Sequence, residues 1–164
     1  MELTDLLPGI IGSFVGVMGW LLVGLYIQRR QFMRQARNAA KAVYFELDVN
    51  RTAIAVALDH GSFTPLNRSS FERLLPELAT LLSAGDLKSV VGAYMAHAGY
   101  EQLAAAADLP AQVRKRALAE IAILHQAALS TLASRAFSKA EAHLMRASAA
   151  DAQASADELR KVTS

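Results

Sequence analysis

The stretch Leu6–Ile27, LLPGIIGSFVGVMGWLLVGLYI, holds no charged side chain, and Arg29, Arg30, Arg34, Arg37 and Lys41 follow it with no acidic residue among them. Its twenty-two residues, rising about 1.5 Å each as a helix, span roughly 33 Å, close to the hydrocarbon thickness of a bilayer. A cleaved signal peptide would need a basic start, a shorter apolar core and a small-x-small cleavage site. Glu2 and Asp5 precede the run, and Tyr26-Ile27-Gln28-Arg29-Arg30 offers no such site. The segment therefore predicts an uncleaved, single-pass anchor. Five basic side chains lie after the span and none before it, and this bias sets orientation. Residues 1–5 are expected outside, residues 6–27 in the bilayer and residues 28–164 in the cytoplasm, with Arg29, Arg30, Arg34, Arg37 and Lys41 setting topology and meeting lipid headgroups.

Five of the nine glycines fall within this run. Gly9, Gly12, Gly16 and Gly19 are spaced three, four and three, which lines them along one helix face. In lipid, helices associate through close backbone approach and not through apolar burial, and Gly12-x-x-x-Gly16 is the spacing that permits it. The stripe predicts a packing surface for a second copy or for another protein's helix. Pro8 suits a first helical turn.

The remaining 137 residues suffice for one domain. The sequence pI of 9.1 arises mainly from the juxtamembrane arginines and points to topology and anionic lipid instead of nucleic acid. Cysteine is absent, which rules out disulfides and thiolate metal sites.

No alternating strand pattern occurs, and Gly and Pro are confined to a few breaks. The fold class expected is all-α: one transmembrane helix continuous with the first helix of a four- to five-helix bundle over residues 28–146, then a polar, alanine-rich tail over 147–164. The first helix is expected to run on to Leu58. Met33, Ala40, Val43, Leu47, Asn50 and Ile54 form its seam, with Asn50 read as a boundary residue capped by local hydrogen bonds.

His60–Asn67 is the main loop, and Ser69 with Glu72 reads as a capping box opening the second helix. Gly85 is expected to close that helix and Asp86 to cap a third, reaching about Ala107. The fourth opens near Pro110 and carries Leu118, Ile121, His125, Ala128, Leu129 and Leu132 on one side. Ser138-Lys139-Ala140-Glu141 is a second capping box, where a fifth helix begins or the fourth continues.

None of the chemical motifs outlasts a simpler reading. His97 and Glu101 stand four apart, but two ligands do not make a metal site, and the Glu-x-x-His sets of carboxylate bundles are missing. The pair reads as a surface contact. His125 lies on an apolar stripe and reads as a partly buried, hydrogen-bonded histidine. No Gly-x-Ser-x-Gly, Ser-x-x-Lys or phosphate-cradling glycine loop is present. Asn50-Arg51-Thr52 and Asn67-Arg68-Ser69 match the glycosylation sequon by chance, and Arg114, Lys115 and Arg116 form a basic cluster that reads as a solvated face. No catalytic residue, cofactor, metal or small-molecule substrate is expected.

The glycine-rich span, Gln28-Arg29-Arg30-Gln31 and the helical stretch from Ala39 to Arg51, AAKAVYFELDVNR, resemble small uncharacterised single-span membrane proteins of bacteria and their phages. The resemblance implies an anchored cytoplasmic helical domain and brings no site residues. The expectation is a membrane-tethered interaction protein, a scaffold or accessory subunit of a membrane assembly in contact with lipids and with a protein partner or its own copy. Alternatives are an oligomerising membrane-active phage or defence factor, and an enzyme with an unrecognised site. A spanin-like lysis protein would need its helices outside, which the arginine bias opposes.

Overall fold

The computed structural model describes residues 3–106 and 108–144, with side chains from residue 12 onward. The expected tail over 147–164, residues 1 and 2 and the surroundings of Gly9 lie outside the described residues. All regular structure among the described residues is helical: α1 Leu3–His60, α2 Ser69–Leu81, α3 Ala84–Ala105 and α4 Ala111–Ala136, with α5 opening at 139 and described to 144.

α1 is one unbroken helix of 58 residues, roughly 87 Å long at about 1.5 Å per residue. Between Gln28 and His60 the chain holds neither Gly nor Pro, so nothing interrupts the hydrogen-bond ladder. It stops at Gly61, whose φ of +68° is the left-handed conformation that glycine adopts without strain, and whose N–H returns to the Ala57 carbonyl at 3.0 Å.

The bundle begins at Ala36, the first buried residue of α1. Ala40, Val43, Leu47, Asn50 and Ile54 are buried as the seam predicts, but Met33 is 38% exposed and lies one turn short of the packed region. The core has two apolar layers. Ala40, Val43 and Leu47 meet Leu78, Leu82, Val90, Ala93, Leu129 and Leu132 in the layer nearer the N-terminal half of α1. Ile54 and Ala57 meet Tyr100, Leu118 and Ile121 in the layer farther from it. α1 and α3 run the same way through these layers, and α4 runs against them.

Helix starts depart from expectation in instructive ways. Ser69 and Glu72 form no capping box: the first turn of α2 is capped from α1, because the Glu46 carboxylate accepts from Ser70 N–H at 2.7 Å and Phe71 N–H at 3.2 Å. Glu72 instead pairs with Arg68. α3 is capped by Ser83, whose Oγ accepts from Asp86 N–H at 3.2 Å, so Gly85 sits inside the first turn of α3 and does not close α2. The Ser138–Glu141 box does form: Ser138 N–H donates to Glu141 Oε2 at 2.7 Å and Glu141 N–H to Ser138 Oγ at 3.2 Å. It separates α5 from α4, which ends at Ala136.

Candidate functional site

Every described residue from 12 to 35 is exposed, including an unbroken apolar run from Phe14 to Ile27 in which Trp20 reaches 76%. Among the described residues nothing covers this contiguous apolar surface, and exposed apolar patches of such extent are uncommon on monomeric soluble proteins. A Cβ built at Gly12, Gly16 or Gly19 would meet nothing within 4 Å. The face is open to close approach. Arg29, Arg30, Arg34 and Arg37 are exposed beyond it, whereas Lys41 is half-buried and pairs with Glu141.

Among the described residues the helix long and apolar enough to cross a membrane is α4, Ala111–Ala136, and not the N-terminal segment. Side chains are described from residue 12 onward, so the N-terminal run is represented there by residues 12–27, directly ahead of Gln28 and the arginines. α4 has another account of its apolarity: Leu118, Ile121, Ala128, Leu129 and Leu132 are buried against α1 and α3, and Arg114, Lys115 and Arg116 occupy its opening turns. It is the central helix of the bundle.

Between the two apolar layers lies a polar one to which three helices each contribute a residue: Asn50 from α1, His97 from α3 and His125 from α4, all buried. His125 Nδ1 lies 3.0 Å from the Ile121 carbonyl, which can only accept, so Nδ1 carries the proton and Nε2 a lone pair. His97 Nε2 stands 3.1 Å from that lone pair and donates to it, the rings stacking at 9°. This assignment leaves His97 Nδ1 as a buried lone pair without a hydrogen-bond partner. Burial and the neighbouring His125 lower the His97 pKa to about 4, and burial also lowers that of His125, the Ile121 carbonyl opposing it. Both rings are neutral near pH 7. His97 is buried and bonded to His125, so it is not half of a surface pair with Glu101, which is exposed.

Asn50 is not capped locally. Its amide clamps the α1–α2 loop, with Nδ2 donating to the Asn67 carbonyl at 2.6 Å and Oδ1 accepting from Asn67 N–H at 2.8 Å. One turn earlier, Glu46 also accepts from the Tyr94 hydroxyl at 2.7 Å. Burial alone would raise the Glu46 pKa, but the hydrogen bonds from Ser70, Tyr94 and Phe71 outweigh it and hold the carboxyl below its ordinary value. Burial and the adjacent carboxylate push Tyr94 up. The sequence reading placed Tyr94 on the core face of the third helix but missed Glu46 and the bond between the two. The available signal was that Glu46 and Asn50 stand four apart beside the seam, so both border the core.

No family model matches the chain, and no curated protein or solved structure proved similar to it. Among the described residues no group of three or more His, Asp and Glu stands close enough to hold a metal ion. Most of the buried polar groups are engaged in holding helices together: His125 with His97, Asn50 with the Asn67 backbone, and Glu46 with Ser70 and Phe71 N–H and the Tyr94 hydroxyl. The surfaces left for an external function are the apolar shaft of α1 and the cationic turns that follow it.

Proposed function

We propose that the chain is a membrane-tethered helical interaction protein, a scaffold or accessory subunit of a membrane assembly, with residues 6–27 crossing the bilayer and the bundle in the cytoplasm. One observation carries this reading: α1 is a single helix whose exposed apolar half ends at Arg29 and Arg30 and whose other half forms the bundle. An aqueous protein would cover such a shaft. The five cations after the span and none before it favour a cytoplasmic bundle. A rigid helix through the membrane surface would hold the bundle at a fixed distance from whatever packs against the shaft.

A second reading, an oligomerising membrane-active phage or defence factor, draws on the open glycine face. Both readings require that face to pack, so Gly12 and Gly16 replaced together by Ile should lose about 1–2 kcal/mol of association, with Gly24→Ile, off the stripe, as the control. Purification in mild detergent with mass analysis separates the two. A stoichiometric protein partner lost in the double variant supports the scaffold, and a homo-oligomer lost in it supports the membrane-active factor. Association unchanged in the double variant would leave the anchor a passive tether.

A further inference from the structure

At the end of the bundle nearest the span, Arg34, Arg37 and Lys41 of α1 face Ser134, Phe137 and Ser138 of the α4–α5 corner across a cleft of about 570 Å³. The three cations succeed one another by three and four residues and share one side of α1, an arrangement that repels itself unless anions attend it. Two other charges at the cleft are already engaged. Glu141 is taken by Lys41 and by Ser138, which together lower its pKa to about 2. Arg135 is taken by Asp86 at 2.9 Å. Neither Arg34 nor Arg37 has an acidic partner among the described residues. Two guanidinium groups one helical turn apart therefore stand at the mouth with no carboxylate paired to them among the described residues. Ser138 Oγ accepts from Glu141 N–H, which leaves its own proton to donate. The cleft presents donors and positive charge to a small anion.

We propose that this cleft binds a single phosphate group, gripped by Arg34 and Arg37. Planar guanidinium forks suit phosphate oxygens, which accept two parallel N–H bonds from each. Helical side chains lean toward the N-terminus, so both arginines lean toward the span. Arg34 stands seven positions after Ile27, which places it roughly 10 Å along α1 from the end of the span, its side chain reaching back to the headgroup layer. An anionic phospholipid can therefore supply the phosphate, and that source rests on the tethered reading. The phosphate chemistry does not: a soluble phosphate compound fits the same donors.

The test uses the full chain in neutral detergent and native mass spectrometry. Probes are phosphatidylglycerol, phosphatidylcholine of the same acyl chains, glycerol 3-phosphate and inorganic phosphate. One bound phosphatidylglycerol per chain is expected, held at least tenfold better than phosphatidylcholine. R34Q/R37Q should weaken it tenfold or more while melting like the parent. K115Q/R116Q removes the same charge from the far end of α4 and should bind as the parent does. If glycerol 3-phosphate or inorganic phosphate competes as well as the lipid, the site stands and its ligand is soluble. Equal binding by R34Q/R37Q and the parent overturns the proposal, as does equal weakening by K115Q/R116Q. Alkaline carbonate washing of membranes tests the tether separately, since release of the chain there would refute the anchor and leave the phosphate probes unaffected.

Discussion

Glu46 joins three elements through one carboxylate, since it sits on α1, caps α2 and accepts from Tyr94 of α3. Glu46→Ala would leave two backbone N–H groups and a buried hydroxyl unpaired, and should cost about 2–4 kcal/mol, measured by urea unfolding. Tyr94→Phe removes one of those bonds and should cost less. The histidine pair makes a pH prediction. Both rings bind fewer protons folded than unfolded, so their contribution is complete above the unfolded value near 6.5 and is lost as pH falls toward about 4. For His97 alone, displacement from 6.5 to about 4 corresponds to about 3 kcal/mol. The Glu46 contribution has the same sign but begins to fail only below its ordinary value of 4.5. Melting temperature should therefore fall between pH 6.5 and 5 in the parent and stay level there in H97L/H125L. A slope retained in the double variant would assign it to other groups. Residues of this kind are only half legible in a sequence. Periodicity put Asn50 and His125 on buried faces, but their partners, Asn67 seventeen positions away and His97 on another helix, depend on how the helices meet.

At the scale of elements, α1 is the part that sequence reading recovers best, because an apolar run, a basic flank and the lack of any breaker up to Gly61 are all local properties. The seam positions from Ala40 to Ile54 followed from helical period alone. Met33 fell outside because a heptad continues along a helix whether or not a neighbour is there to cover it. Helix starts were harder. Ser69 with Glu72 and Ser138 with Glu141 are the same pattern, yet only the second caps itself, since at the first Ser69 N–H donates to Asn67 Oδ1 and Glu72 N–H to the Arg68 carbonyl, while Glu46 of α1 caps Ser70 and Phe71. α1 enters both apolar layers and supplies the Glu46 cap and the Asn50 clamp. A fragment of residues 61–164 should therefore lose cooperative thermal unfolding by circular dichroism, whereas residues 33–164 should keep it. A sharp transition in the shorter fragment would show that α2 to α4 hold together without α1.

For the whole molecule, the layers define a direction. The apolar layer of Leu47 and Leu132 lies toward the exposed half of α1, the polar layer follows, and the layer of Ile54 and Leu118 lies farthest away. The α4–α5 corner consequently returns to the base of the bundle, where Arg34 and Arg37 stand. The bundle was legible as a class because four amphipathic segments separated by Gly or Pro breaks have few other ways to bury their faces. The cationic cleft was not, since it requires α1 and the α4–α5 corner to be brought together over about a hundred residues of chain, Lys41 to Glu141. In the proposed topology α1 crosses a membrane with the bundle on the cytoplasmic side. The chain has no cysteine, so one introduced thiol is a unique label. Thr4→Cys and Ser62→Cys, the latter in the exposed loop after α1, can be treated in intact cells with a membrane-impermeant maleimide. With that topology position 4 labels at once and position 62 only after permeabilisation. Labelling of position 62 in intact cells, or protection of both positions there, would contradict it.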